Sequence, residues 1–257
     1  MEPRHKSVAI VQARLGSTRL PGKVLADIHG EPMLARVVKR ARWANSLDEV
    51  VVATTSLRED DPLARLCEQR NYPFFRGHPT DVLDRYYRAG KAFAATVIVR
   101  LTGDCPLLDP DVLDQTVTAF VKAEPPADLA VNRFPGDRTF PIGLDVEVCS
   151  FRALEQAWRE ADQPHQREHV MPYLYEEPGR FRVLHIKAEQ DFGDLRWTVD
   201  TPEDLEFVRR VYAYFAPRER FSWKEVMALV NAQPELAAIN AHVPAKGLRE
   251  SEAGLGG

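Results

Sequence analysis

Cysteine is scarce in this chain: Cys67, Cys105 and Cys149 are spread over 257 residues. An odd, widely spaced set supports neither a disulfide framework nor a cysteine-based zinc site; reduced thiols fit a reducing compartment. Long apolar runs are missing too. No stretch approaches the roughly eighteen residues a membrane span needs, and the first apolar run, Val8 to Val11, is too short for a signal-peptide core. A cytoplasmic protein with no membrane partner is expected. Charge of one sign is also lacking. Thirty-four basic residues stand against 38 acidic ones, for a net charge of −4 and a pI near 6.0. No broad attraction to nucleic acid follows, so any anion site has to be local. There is no internal repeat.

What remains, 44% hydrophobic and 28% charged residues, describes an ordinary globular protein, long enough to bury a core without disulfides. Short β-branched runs at Val8–Val11, Glu49–Thr54 and Thr96–Arg100 suit strands buried on both faces. Between them, Met33–Trp43, Asp61–Gln69 and Val82–Ala94 carry apolar residues at helical spacing. Strand and helix in alternation predict an α/β fold, a doubly wound, mostly parallel or mixed sheet with helices on both faces. In such a sheet the loops after the strands form the binding edge.

After Ala123 the pattern changes. Leu144–Cys149 alternates as a half-buried strand would. Helices are expected at Phe151–Glu160 and Arg167–Glu176, a strand at Phe181–Lys187, and a helix at Phe221–Val230. Thr201-Pro-Glu-Asp204 reads as a capped helix start. We therefore expect one domain over residues 1–244, with 124–190 as a possible insertion serving the acceptor or a dimer contact. A flexible polar tail is expected over 245–257.

The strongest local signal is Gln12-Ala-Arg-Leu-Gly-Ser-Thr-Arg-Leu-Pro-Gly-Lys23, directly after the first strand. Its glycines let backbone N–H groups approach an oxyanion, and Arg14, Arg19 and Lys23 can neutralise phosphate charge. It is not a Walker A loop, because Val24 follows Lys23 where a Ser or Thr is required, and it is not G-x-G-x-x-G. Two carboxylates also stand at strand ends, Asp104 in Thr102-Gly-Asp-Cys-Pro-Leu107 and Asp200 in Asp194-Leu-Arg-Trp-Thr-Val-Asp200. Together they suit a hard cation shared with phosphate oxygens.

These residues resemble the CMP-sugar synthetases, the acylneuraminate and CMP-KDO cytidylyltransferases, and most closely the branch called spore coat polysaccharide biosynthesis protein F. The resemblance runs from about Val8 to Phe207. It implies a nucleotide-diphospho-sugar transferase-like fold and an enzyme that transfers CMP from CTP to a sugar-acid-like acceptor. Mg²⁺ would be held by Asp104 and Asp200, and the active form would be a homodimer. Arg14, Lys23, Asp104 and Asp200 would be the catalytic set. The nucleotide would meet Ala13, Arg14, Leu15, Gly16, Ser17, Arg19, Lys23 and Thr102. Thr54 and Thr55 match the place of base contacts, and Arg76, Asp81 and Arg85 a segment that closes over the nucleotide.

By the same resemblance Asp145, Glu147, Arg167, His169 and Arg196 belong around the acceptor. Asp145 and Glu147 share one side of their strand, where paired carboxylates can bind hydroxyls or accept a proton; solvated carboxylates on an edge strand fit equally.

Two further motifs favour other activities. Asp109-Pro-Asp111 has the D-x-D form of nucleotide-sugar glycosyltransferases, although Asp109 before Pro110 also reads as a helix cap. His165-Gln-Arg-Glu-His169 spells H-x-x-E-H, without an evident third zinc ligand. A glycosyltransferase and a non-catalytic nucleotide-binding protein are thus the alternatives to a cytidylyltransferase.

Overall fold

The computed structural model describes residues 5–244; the expected tail over 245–257 lies outside them. Seven strands form one sheet: β1 (Ser7–Gln12), β2 (Glu49–Thr55), β3 (Phe74–Gly77), β4 (Val97–Thr102), β5 (Leu129–Val131), β6 (Glu147–Ser150) and β7 (Val183–His185). Their order across the sheet is β7-β5-β6-β4-β1-β2-β3. β1 pairs in parallel with both β2 and β4, and β2 with β3. β6 runs antiparallel to β4 and to β5, while β7 is parallel to β5. The fold is the mixed, mostly parallel α/β sheet expected from the alternation of elements.

The helices are α1 (Met33–Ala41), α2 (Asp61–Gln69), α3 (Val82–Ala92), α4 (Pro110–Val121), α5 (Phe151–Glu160), α6 (Pro164–His169), α7 (Pro172–Tyr175), α8 (Pro202–Phe215), α9 (Trp223–Ala232) and α10 (Pro234–Ala238). Strand periodicity divides their packing. Ala9 and Val11 of β1 join α1, α2, α4, α8 and α9 in one buried cluster. Val8 and Ile10 join α3, α5 and α7 in the other. Residues alternating along a strand face opposite ways, so one apolar run serves two layers. The chain from β1 leaves by α1 on one face, and the chain entering β4 arrives from α3 on the other. The C-terminal ends of β1 and β4 therefore open a crevice between diverging connections, the place where open α/β sheets bind ligands.

Several local expectations change. Residues 124–190 contribute β5, β6 and β7 to the same sheet. β6 is not half-buried: Val146 and Val148 face one cluster and Cys149 the other, all fully buried. It lies between two strands, so Glu147 is not on a solvated edge. The helix expected at Arg167–Glu176 is broken into α6 and α7, with Val170 at φ 72° between them and Pro172 opening the second. Proline cannot supply the N–H that a continuous helix needs there. β3 and β5 were hidden because four- and three-residue strands are too short to show a period.

Candidate active site

The crevice is a cleft of about 530 Å³ between the loop after β1, the turn after β4, the N-terminal part of α3 and α6. The loop after β1 is pinned from below. Ala13 N donates to Ala53 O at 3.1 Å, and Leu15 N donates to Asp60 Oδ1 at 2.7 Å. Asp60, fully buried, also accepts from Thr55 Oγ1. At the far end of the loop Gly22 sits at φ 70°, a conformation glycine adopts without a Cβ penalty. That turn delivers Lys23 into the cleft.

After β4, Gly103 N donates to Gln12 O at 2.8 Å. A Cβ at Gly103 would meet that oxygen at 3.0 Å and the Ala13 Cβ at 3.1 Å, so glycine lets the Asp104 turn approach the first loop. Val199 N donates to Asp104 O at 2.8 Å, which sets Asp200 beside Asp104.

Lys23 closes the assembly. Its ammonium, on a residue only 8% exposed, donates to Asp104 Oδ2 at 2.6 Å, Asp200 Oδ1 at 2.7 Å and Val199 O at 2.9 Å. These bonds join residues 81 and 177 positions away. Burial works against the lysine's charge, but the two carboxylates outweigh it and raise its pKa above 10.5. Burial likewise works against ionised Asp200, yet Lys23, Arg19 and Arg196 hold it below 3.8. Arg19 reaches Asp200 Oδ2 at 3.0 Å and Arg196 the same oxygen at 2.7 Å. Arg196 is itself held by Asp204, at 2.9 and 3.0 Å. Asp204 caps α8 through Thr201, accepts from Asp200 N at 2.9 Å and takes Asn240 Nδ2 at 2.9 Å.

Two carboxylates converging on one cationic atom beside a phosphate-sized space are an oxygen donor set that fits a hard divalent cation completed by phosphate oxygens. Among the described residues no group of three or more His, Cys, Asp or Glu side chains forms a metal cage, so phosphate would have to supply part of the coordination. The ammonium of Lys23 marks where positive charge is wanted.

The cleft gathers Ala13, Arg14, Gly16, Ser17, Arg19, Lys23, Arg85, Thr102, Asp104, His169 and Asp200. The other expected site residues do not line it. Leu15 packs on the core. Thr54 and Thr55 are buried, because strand β2 continues through both. Arg76 bonds Thr55 O, Leu57 O and Asp61 at 2.9, 2.7 and 2.7 Å, bracing the turn after β2. Asp81 caps α3 and is gripped by Arg167, whose Nη2 lies 2.5 Å away. Asp145 is bound by Arg138, and Glu147 by Arg100, in an interior ion network that Arg133 extends. These two carboxylates are already paired with arginines. Arg196 acts on Asp200 and not on the cleft.

Residues that sequence reasoning missed include Asp60, Gln12 and Glu168. Only the last two line the cleft; Gln12 opens the cationic loop and Glu168 stands in His165-Gln-Arg-Glu-His169, but neither motif singled it out. Asp109 fits the structural alternative to D-x-D. It is fully buried, accepts from Asp111 N and Val112 N at 2.9 and 3.3 Å, and accepts from Trp223 N at 2.7 Å. Its hydrogen bonds cap α4 and hold the start of α9. His165 pairs with Glu176 at 2.6 Å, away from the cleft. Cys105 is buried below the site, and burial pushes its thiol far up, so it packs and is no nucleophile. No helix among the described residues is long and apolar enough to cross a membrane.

Comparison with known proteins gives the family. The cytidylyltransferase family profile matches residues 8–235. The spore coat polysaccharide biosynthesis protein SpsF of Bacillus subtilis is 34% identical over 235 residues, covering 89% of this chain and 95% of its own. A 3-deoxy-manno-octulosonate cytidylyltransferase of Anaeromyxobacter dehalogenans is 29% identical over 243 residues, covering 82% of this chain and 98% of its own. The solved structure of a cytidylyltransferase from Leptospira borgpetersenii superposes with a TM-score of 0.87 at 32% identity, covering 91% of this chain and 97% of that one. The chain belongs to the cytidylyltransferase family and is a CTP-dependent nucleotidyltransferase.

Proposed function

We propose that the enzyme activates a sugar acid, or a closely related acceptor, by transferring CMP from CTP to one of its oxygens. The observation that carries this is Lys23 clasped between Asp104 and Asp200 at the mouth of the cationic loop. The acceptor oxygen bonds to the α-phosphorus, the bond from that phosphorus to the bridging oxygen of the β-phosphate breaks, and pyrophosphate leaves. The proton of the acceptor hydroxyl passes to solvent or a nearby carboxylate. Such a step needs alignment and charge compensation, with no covalent enzyme intermediate.

Arg14, Arg19 and Lys23 take up charge on the departing pyrophosphate. Asp104 and Asp200 would hold Mg²⁺, which when bound polarises phosphate oxygens and lowers the pKa of an attacking hydroxyl. Arg196 and Asp204 keep Asp200 aimed. His169 and Glu168, on the α6 wall of the cleft, face the side an acceptor would enter. The glycosyltransferase alternative loses its metal motif with the burial of Asp109.

The test is pyrophosphate release from CTP, ATP, GTP and UTP with Mg²⁺ and a panel of α-keto sugar acids and phosphonates. CTP-selective release that needs both Mg²⁺ and one acceptor class is expected. Release from a UDP- or GDP-sugar instead, or CTP binding with no transfer to any acceptor, overturns the proposal.

A further inference from the structure

Three carboxylates line the cleft, Asp104, Glu168 and Asp200, and two of them are engaged. Asp104 is held by Lys23, and Asp200 by Lys23, Arg19 and Arg196. Glu168, half-buried on the α6 wall, makes no hydrogen bond and no ion pair among the described residues. His169, the next titratable group on that wall, already has an interaction partner.

The helix that carries Glu168 is held from behind. α6 is too short to be stable by its own backbone bonds, and its other side chains fasten it. Arg167 grips Asp81, with Nη2 at 2.5 Å and Nε at 3.1 and 3.2 Å, and donates to Trp158 O at 2.7 Å. His165 and Gln166 both reach Glu176, at 2.6 and 2.8 Å. Val170, fully buried, ends the helix at φ 72°. Asp81 also caps α3, so α6 is tied to another wall of the same cleft. Glu168 is therefore presented on a fixed frame, which is what a group that must meet a reacting atom requires.

An unpaired carboxylate in a triphosphate cleft is informative through what it repels. The phosphates of CTP carry charge of the same sign and are drawn to Arg14, Arg19 and Lys23, so the α6 wall takes the acceptor. The acid group of a sugar acid is repelled as well, so the acceptor meets Glu168 with a hydroxyl. That hydroxyl has a proton to lose when its oxygen attacks phosphorus. The oxygens of Asp104 and Asp200 are shared with Lys23 and assigned to the metal.

We infer that Glu168 is the general base of the transfer. Its carboxylate accepts the proton of the attacking hydroxyl as the bond from that oxygen to the α-phosphorus forms and the bond to pyrophosphate breaks. The proton then passes to solvent. Arg167 is a positioning residue that acts by holding α6 in place. This rests on the function proposed above and names where the proton goes. A placed general base contributes about 100- to 10,000-fold to the rate.

The test is steady-state pyrophosphate release with CTP, Mg²⁺ and the acceptor that the panel identifies. The full chain is compared as wild type, Glu168→Gln, Glu168→Ala and Arg167→Lys, with and without sodium formate, and CTP is titrated calorimetrically into each. Glu168 holds no bond in the fold, so its variants should stay folded. We expect Glu168→Gln to lower kcat about 100-fold or more with CTP affinity unchanged. Formate should restore part of the rate in Glu168→Ala, where a small carboxylate can enter the space left. Arg167→Lys should lose rate without that recovery, because its carboxylate is present and only misplaced; full activity there removes the positioning role. Turnover within a few-fold of the wild type in Glu168→Gln overturns the inference. So does a loss that excess Mg²⁺ reverses, which makes Glu168 a metal ligand. Absence of formate recovery in Glu168→Ala, or equal stimulation of every variant, also overturns it. A wild type inactive with every acceptor sinks the functional reading and this one with it, whereas an active wild type beside an equally active Glu168→Gln sinks only this one.

Discussion

Removing the Lys23 ammonium should turn a self-neutralised cluster into a cation trap. In the wild type, Nζ lies 2.6 Å from Asp104 and 2.7 Å from Asp200. Asp200 has Arg19 and Arg196 in reserve, so in Lys23→Ala the uncompensated charge falls on Asp104. Breaking a fully buried pair costs about 3–5 kcal/mol. The two aspartate side chains keep 25% and 21% exposure, and solvent screening reduces the loss to about 2–3 kcal/mol. For a chain of this size that is a fall in Tm of about 5–10 °C in EDTA. Divalent metal should then restore stability to the variant more than it stabilises the wild type, where an incoming ion competes with the ammonium. Metal at 100 times its Kd returns about 2.7 kcal/mol. The assay is a thermal melt of both proteins in EDTA and across a Mg²⁺ or Mn²⁺ series without nucleotide. Equal melting points in EDTA refute the buried clasp; an equal metal-dependent rise in both refutes the idea that lysine and metal share the carboxylates.

Asp104→Asn should lower turnover by at least about 100-fold while the circular dichroism spectrum stays that of a folded protein; turnover within a few-fold of the wild type removes Asp104 from the chemistry. Asp200 and Lys23 also predict a pH profile. The Asp200 contribution is complete above pH 3.8 and is lost as pH falls through its lower folded pKa; the Lys23 contribution is complete below pH 10.5 and is lost as pH rises through its higher folded pKa. The stability gap between wild type and Asp200→Asn should therefore be flat from about pH 5 to 9, and a slope within that window, read by urea melts, contradicts the clasp. All three thiols are buried, with Cys67 pushed up to about 11, so a disulfide-exchange reagent at pH 8 should titrate none of them until the protein unfolds. Asp109→Ala should cost about 2–4 kcal/mol by urea denaturation, since it removes the cap of α4 and leaves Trp223 N unpaired; a loss below 1 kcal/mol would show that those bonds hold little.

The central strands of the sheet and the cationic loop were legible because both rest on local chemistry. Val8–Val11 and Val97–Val99 are short continuous apolar runs, and a strand of that kind is recognisable without knowing its neighbours. Lys23, Asp104 and Asp200 each stand where a strand or turn ends, so each could be proposed alone and the fold had only to bring them together. Of the residues expected around the acceptor, all but His169 fail to line the cleft, for the opposite reason. Asp145, Glu147, Arg167 and Arg196 carry charges whose partners, Arg138, Arg100, Asp81 and Asp204, come from other elements or from the next turn. A charged residue at a strand end has the same sequence signature whether it awaits a ligand or is already consumed by an ion pair. What separates the two is the count of hydrogen-bond partners, which exists only after folding. By that criterion Gln12 and Arg85 are the informative pair. Gln12 reads in sequence as the polar end of a strand and Arg85 as one arginine on an amphipathic helix, yet after folding both line the cleft while Gln12 Oε1 and Arg85 Nε are buried without hydrogen bonds.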